Sequence, residues 1–301
     1  MSTSNFAYCI ADEANREKMI DALNKRYSFL KVGTLSKSLC GRNIHYFEIG
    51  EPSEQVLFVG AFHGMEWLTS SLLIRFVYRL CESIKCNENI SDVHMRDFLK
   101  STGLLVIPCL NPDGVEISLY GENEAGRYSS LVREVSNGNT SRWQTNARGV
   151  DLNHNFDADW EQLRRMEINS GIVGAAPTRY GGRAPESEPE SHALAELCRT
   201  RNIKHAVAFH SQGEEIYWNY GEHTPKRSKL MADVMAASSG YTVSNPEGLA
   251  VGGGFKDWFI DKLHRPGFTI EIGKGENPLP LQDLPAIYYR LEEMLVLTSL
   301  M

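Results

Sequence analysis

His63 and Glu66, three residues apart, directly follow the apolar segment VLFVGAF. Where a buried strand gives way to a helix, both side chains can turn toward one point beyond the strand's carboxyl end, where open α/β sheets bind ligands. A catalytic zinc ion normally takes three protein ligands and leaves a fourth position open. His210, which closes the apolar segment HAVAFH, is the candidate third ligand. Each histidine alone is also typical of a hydrogen-bonded structural residue, but the set of three favours a metal site.

Glu271 lies in the alternating segment GFTIEIG, flanked by two isoleucines. A carboxylate among apolar neighbours is costly unless a cation opposes it or its pKa is shifted. A metal ion nearby would oppose the charge, and a carboxylate beside a metal site can serve as general acid and base. The alternative is a glutamate on an edge strand that faces solvent.

These candidates require strands that end at a common edge of one sheet, and the hydrophobic pattern predicts such strands. The segments 56–62 and 104–110 are apolar on both faces, as in strands covered on two sides. An amphipathic helix predicted over 67–84 connects them, and Asn111-Pro-Asp-Gly114 predicts a turn. Further elements are predicted as helices at 13–26, 187–200, 225–239, 255–264 and from about 282, strands in HAVAFHS, EEIYW and GFTIEIG, and a long irregular stretch at 115–190 with one helix near 158–168.

Strands and helices alternate along the chain without a break that resembles a linker. We therefore predict a single α/β domain over residues 1–301, with a mixed, mostly parallel central sheet flanked by helices. Residues 1–28 are expected to supply an N-terminal helix that leads into it.

Composition excludes several classes of partner. The chain has 31 basic and 38 acidic residues, a formal net charge of -7 and no lysine/arginine run, so no nucleic-acid partner is expected. No apolar run approaches the roughly 20 residues that span a bilayer, and the N-terminus lacks a secretory-signal pattern. We expect no membrane partner, a cytoplasmic location and six free cysteines.

Taken in order, the motifs resemble a known family. Five of them occur in sequence: His63-x-x-Glu66, Asn111-Pro-Asp-Gly114, Gly149-Val-Asp-Leu-Asn153-His-Asn155, His210-Ser211 and Thr269-Ile-Glu271. This order resembles the zinc metallocarboxypeptidases of the carboxypeptidase A type. The segments HSQGEEIYW and GGFKDWFI are similar to the bacterial branch that cleaves γ-D-glutamyl–diamino acid bonds in peptidoglycan peptides.

The resemblance implies one zinc ion per chain, held by His63, Glu66 and His210, with Glu271 activating water. It also implies a cation that stabilises the oxyanion formed from the amide carbonyl. Arg148 is the candidate for that role; in another alignment the family's arginine falls on Gln144.

Three further features bear on the active site and its substrate. The chain has Asn153-His154-Asn155 where many relatives have Asn-Arg-Asn, so a free carboxylate would be held differently, and Asn153 and His154 are expected to contact the polar end of the substrate. Asp151 is a candidate to orient His63. The segment EGLAVGGGFKDWF contains no tyrosine to act as a lid, and its glycine run indicates close backbone approach or a hinge.

The predicted function is hydrolysis of the γ-D-glutamyl–diaminopimelate (or lysine) amide bond by a zinc metallopeptidase, with a peptide or muropeptide as partner. The alternatives are a carboxypeptidase that releases the last amino acid and a deacylase of N-acyl amino acids. A module that binds cell-wall peptides without cleaving them is the non-enzymatic alternative.

Overall fold

The structure, a computed structural model, describes residues 9–50, 53–95 and 103–301. The first eight residues of the predicted N-terminal segment lie outside the described residues. The strands are β1 (Lys31–Lys37), β2 (Asn43–Gly50), β3 (Gln55–Val59), β4 (Asn89–Ile90), β5 (Val93–His94), β6 (Gly103–Ile107), β7 (Ile203–His210), β8 (Glu215–Tyr217), β9 (Thr242–Ser244) and β10 (Gly267–Glu271).

Helices cover the sheet and connect its strands. Within the described residues, the α-helices are α1 (Glu13–Arg26), α2 (Leu68–Cys86), α3 (Pro112–Tyr120), α4 (Ser129–Ser136), α5 (Trp160–Asn169), α6 (Pro189–Thr200), α7 (Arg227–Ser239), α8 (Phe255–Leu263) and α9 (Leu284–Leu300). None of the helices in this part of the chain combines the length and apolarity that crossing a bilayer requires.

Eight strands form one sheet in the order β1-β2-β6-β3-β7-β10-β8-β9. The neighbours β6, β3, β7 and β10 run parallel, whereas β1, β2 and β8 pair antiparallel with their inner neighbours. The predicted α/β fold with a mixed, mostly parallel sheet is confirmed. The parallel strands matter for function because their carboxyl ends meet at one edge of the sheet.

The central strands are buried because apolar clusters lie on both faces of the sheet. Every residue of β3 and of β6 is buried. On one face, Phe58 of β3 and Phe76 of α2 belong to the same apolar cluster. On the other face, Leu57 of β3 and Phe259 of α8 belong to a second cluster. The helix–strand alternation predicted from the sequence therefore encloses the sheet on both sides.

The structure differs from the predicted elements near two strand ends. The predicted strand 56–62 ends at Val59, because Ala61 turns the chain with a φ of 47°. Asn111, predicted to begin a turn, instead caps α3: its side chain accepts from the backbone N–H of Gly114, and proline at the first helical position is compatible with a helix start. In the stretch 115–190 the helix predicted near 158–168 is confirmed as α5, and the stretch also contains most of α3 and all of α4, which were not predicted.

Candidate active site

His63, Glu66 and His210 meet at the carboxyl edge of the sheet, as predicted. His63 and Glu66 lie in the turn after β3, and His210 is the last residue of β7. The two carboxylate oxygens of Glu66 lie 2.8 Å from His63 Nδ1 and 3.0 Å from His210 Nδ1. The two Nδ1 atoms are 3.3 Å apart. Three potential ligand atoms therefore converge on one point.

This geometry fits a zinc ion. Nitrogen ligands at the usual ~2.0–2.1 Å from a tetrahedral zinc lie about 3.3 Å apart, which matches the separation of the two Nδ1 atoms. One ligand atom from each of the three residues lies within 4.8 Å of the others. Asp151 Oδ1 lies 3.0 Å from His63 Nε2, so the carboxylate can accept the proton of that nitrogen and leave Nδ1 free to bind a metal.

Close backbone packing fixes the turn that carries His63 and Glu66. The N–H groups of Gly64 and Met65 donate to the carbonyl oxygens of Gln144 and Trp143. A Cβ atom on Gly64 would lie 2.1 Å from the carbonyl oxygen of Gly114, so any larger residue would push the two segments apart. This packing and these hydrogen bonds therefore fix the position of the turn from which His63 and Glu66 project.

Glu271 ends β10 and is the register partner of His210 in the neighbouring parallel strand. Its side chain lines the same cavity as both histidines. Burial raises the pKa of Glu271 well above its usual value, and the negative charge of Glu66 adds to the effect. A cation bound at the cluster would oppose both causes and lower the pKa of Glu271. A general base at a metal site needs this lower pKa, because it must be ionised to accept a proton.

Charges within the cluster compensate one another. Burial opposes the charged form of His63, but the carboxylates of Glu66 and Asp151 outweigh it and raise the pKa of this imidazole. Burial likewise opposes the ionised forms of Glu66 and Asp151, yet the imidazole of His63 holds the pKa of both carboxyls below their usual values. Burial lowers the pKa of His210, which favours the neutral imidazole that binds metals.

Arg148, predicted to stabilise the oxyanion, is not brought together with the other candidates. Its Nε and Nη2 atoms bind Glu188 Oε2 at 3.1 and 2.9 Å, because Glu188 is buried and needs a cation. Gln144, the other alignment, does line the cavity. Thr178 donates its hydroxyl proton to Gln144 Oε1, so the amide nitrogen of Gln144 is the group available to a substrate.

Asn153 and His154 line the cavity as well. Asn153 Oδ1 accepts the backbone N–H of Phe255 at 3.0 Å and thereby caps the start of α8. His154 Nδ1 lies 2.8 Å from Glu167 Oε1, a fully buried carboxylate, which orients the ring. Both side chains therefore have a structural partner in addition to their place on the cavity wall.

The glycine run forms part of the cavity wall, and the predicted close approach is confirmed. Gly252 and Gly253 have φ values of 85° and 65°, and a Cβ atom on Gly253 would lie 2.9 Å from the carbonyl oxygen of His154. Lys256 lines the same cavity, which the sequence analysis did not predict. A lysine in the first turn of an amphipathic helix is normally solvated, so no sequence signal separated it from a surface residue.

Comparisons with known proteins agree with this geometry. Residues 16–293 match the family described as zinc carboxypeptidase. The chain is 34% identical over 272 residues to γ-D-glutamyl-L-diamino acid endopeptidase 1 of Lysinibacillus sphaericus, covering 89% of this chain and 67% of the relative. It is 26% identical to carboxypeptidase B of Bos taurus, covering 87% and 63%.

The fold also matches a solved structure over almost its full length. Bovine thrombin-activatable fibrinolysis inhibitor, in complex with tick carboxypeptidase inhibitor, superposes with a TM-score of 0.76 at 19% identity, covering 99% of this chain and 98% of the other. The family match spans most of the chain and includes all three residues of the metal cluster. The protein belongs to the zinc carboxypeptidase family and is a zinc metallopeptidase.

Proposed function

We propose that this metallopeptidase hydrolyses the γ-D-glutamyl–diamino acid amide bond, with diaminopimelate or lysine as the diamino acid, in peptidoglycan-derived peptides. The observation that carries the hydrolytic part is the convergence of His63, Glu66 and His210 at one sheet edge, with Glu271 beside them. The relative named as a γ-D-glutamyl-L-diamino acid endopeptidase supports the substrate class.

Four side chains carry the reaction in this proposal. His63, Glu66 and His210 hold zinc, which when bound supplies a Lewis acid that brings the pKa of water to about 7. Glu271 takes a proton from the attacking water and returns it to the nitrogen of the leaving amine. Its half-buried carboxylate lines the cavity, where an attacking water can reach it.

Gln144, rather than Arg148, is proposed to stabilise the oxyanion. Its amide nitrogen can donate a hydrogen bond to the carbonyl oxygen of the scissile amide, and Thr178 fixes the orientation of the amide group. A neutral donor stabilises developing negative charge less than a guanidinium does. The reaction therefore depends more on the metal site than it would with an arginine at this position.

Asn153 and His154 are proposed to contact the leaving part of the substrate. His154 donates or accepts through Nε2, because Glu167 engages Nδ1. A single imidazole nitrogen makes one hydrogen bond, whereas an arginine grips a carboxylate with two. Such a site does not require a free terminal carboxylate as strictly as an arginine clamp does.

The second candidate is a carboxypeptidase that releases one terminal amino acid. A cavity of about 380 Å³ beside His63, His210 and Glu271 is compatible with a single terminal residue as the leaving group. The relationship to carboxypeptidase B is consistent with this alternative.

A tetrapeptide distinguishes the two activities. The zinc-loaded protein is incubated with L-Ala-γ-D-Glu-meso-diaminopimelyl-D-Ala, and the products are identified by mass spectrometry. The proposed endopeptidase releases L-Ala-D-Glu and diaminopimelyl-D-Ala, whereas a carboxypeptidase releases D-Ala alone. Absence of L-Ala-D-Glu, both here and with the tripeptide that ends in diaminopimelate, would refute the proposed function.

A further inference from the structure

A buried ion pair lines the active-site cavity but has no part in the proposed hydrolysis. Lys256 and Asp257, in the first turn of α8, have side chains only 6% and 3% exposed, and they bind each other. Both line the cavity that contains His63 and Glu271. Removing two charges from water is expensive, and a buried pair is often no more stabilising than apolar residues of similar size. A pair placed on the wall of a catalytic cavity therefore indicates a role in binding.

The ion pair and the metal-binding residues lie near opposite ends of β10. The side chain of Lys256 packs over Gly267, at the beginning of β10, whereas Glu271 ends the same strand. Four residues of strand separate these positions by about 13 Å. Thr269, between them, also lines the cavity. The cavity is thus lined by His63, His210 and Glu271 at the sheet edge, where the amide would be cut, and by Lys256 at the start of α8.

Lys256 has a hydrogen-bond donor to spare. Its ammonium group donates to the carbonyl oxygen of Asn219 at 2.8 Å and to Asp257 Oδ1. An ammonium group has three protons, and among the described residues no oxygen or nitrogen atom accepts the third, although the Tyr220 ring centroid lies 5.7 Å from Lys256 Nζ. Asp257 is itself fixed, because its Oδ2 accepts the backbone N–H of Gly252 at 2.8 Å. The pair presents a held cation to the cavity.

Resting on the proposed function, we propose that Lys256 binds the carboxylate at the far end of the leaving diamino acid's side chain and so selects diaminopimelate over lysine. The acyl side of the substrate continues into the rest of the stem peptide and needs an open path. In this proposal the part of the cavity beside Lys256 takes the leaving residue. Diaminopimelate carries a carboxylate at the end of its side chain, and lysine lacks it.

Two peptides that differ only in this carboxylate test the inference. The values of kcat/KM are measured for zinc-loaded protein with L-Ala-γ-D-Glu-meso-diaminopimelate and with L-Ala-γ-D-Glu-L-lysine. We expect the wild type to prefer the first by at least about tenfold, since a buried polar group left unpaired penalises the smaller substrate. Lys256→Met is expected to abolish this preference, so that the ratio of the two kcat/KM values falls to about one.

Lys262→Met is the matched control, because Lys262 lies on the same helix with its side chain 41% exposed and pairs with surface aspartates. It should keep the wild-type preference. Lys256→Met leaves Asp257 buried without its cation, so the double variant Lys256→Met/Asp257→Asn is measured beside it. A readout that needs no variant is competition: free meso-diaminopimelate should inhibit the wild type more strongly than free lysine.

Each outcome has a distinct meaning. Cleavage of both peptides at equal rates by the wild type, with equal inhibition by the two free amino acids, overturns the role of Lys256 and leaves the proposed function standing. Equal losses on both peptides in the Lys256 variants also overturn it, because Lys256 would then hold a group that both substrates share. Cleavage of neither peptide by the zinc-loaded wild type refutes the proposed function itself.

Discussion

The Nδ1 atoms of His63 and His210 lie 3.3 Å apart, although 147 positions separate the two residues in the chain. Parallel pairing of β3 with β7 brings them together, since both strands end at the same edge of the sheet. Two imidazole nitrogens at this distance, with the Glu66 carboxylate beside both, leave room for one shared ion rather than for two separate sites.

Removing one imidazole should destroy the metal site. His210→Ala leaves two ligands, fewer than the three that a catalytic zinc normally has, so we expect loss of bound zinc and of measurable hydrolysis. Zinc per chain is measured by atomic absorption after gel filtration. His223→Ala is the control, because His223 is exposed and pairs with Asp261. Zinc retained at the wild-type level in His210→Ala would exclude His210 as a ligand.

Asp151 should tune the affinity for zinc without holding the ion. Its carboxylate lies 3.0 Å from His63 Nε2, and loss of such a partner typically lowers metal affinity by roughly 10–100-fold. Asp151→Asn keeps the shape and an acceptor oxygen but removes the charge. Competition with a chelator of known affinity measures the change. Asp157→Asn, in an exposed pair with Lys262, should bind zinc like the wild type; an unaltered affinity in Asp151→Asn would argue against this role.

Glu271 should act on the chemical step alone. Glu271→Gln keeps the size of the side chain but cannot take a proton, so kcat is expected to fall by roughly 10²–10⁴-fold. Zinc content should stay unchanged, because Glu271 is not part of the ligand set. Steady-state kinetics and metal analysis on the same sample check both statements. A kcat within a few-fold of the wild type would remove Glu271 as the base.

Gln144 and Arg148 should have opposite phenotypes. Gln144→Ala removes a donor near the reacting carbonyl, and loss of one such donor typically lowers kcat by about 10²–10³-fold. Arg148→Met leaves buried Glu188 without its cation, which should lower the free energy of unfolding by about 1–3 kcal/mol and leave kcat unchanged. Kinetics and urea unfolding of both variants provide the comparison. A large fall of kcat in a stably folded Arg148→Met would restore Arg148 as the electrophile.

Glu190 should make stability depend on pH. This carboxyl is fully buried, and burial raises its pKa to about 8, with smaller contributions from Asp113 and Glu188. An unfolded chain releases the glutamate proton at a pKa of about 4.3. Between about pH 4.3 and pH 8, the folded protein therefore holds a proton that the unfolded chain has released. The free energy of unfolding therefore falls as pH rises through this range.

Glu190→Gln removes this dependence. From pH 6 to pH 8 the wild type should lose on the order of 2–3 kcal/mol more stability than the variant does. Urea unfolding of both proteins at the two pH values measures the difference, and contributions that the proteins share cancel. Parallel curves for the two proteins would show that Glu190 ionises normally in the folded state.

The sequence was informative wherever a side chain follows directly from the end of a regular element. His63, His210 and Glu271 were found because each lies at or just beyond the end of an apolar strand, and parallel strands end together. The cap at Asn111 was mistaken for a turn, since Asn-Pro-Asp-Gly begins both a turn and a helix with proline at its first position.

Residues whose direction depends on distant partners could not be placed in this way. Arg148 turns toward Glu188, which is 40 residues further along the chain. Lys256 is buried only because Asn219 and Asp257 accept its protons at the cavity wall. Neither arrangement follows from local pattern, because tertiary packing decides which way a long side chain extends.

Zinc content and hydrolysis of the tetrapeptide, followed together through stepwise chelation and re-addition of zinc, test the catalytic role of the cluster most directly. We predict that both fall in parallel as the chelator removes zinc, and that full release of L-Ala-D-Glu returns at one zinc ion per chain. Undiminished hydrolysis by protein from which zinc has been removed would show that His63, Glu66 and His210 are not the centre of the reaction.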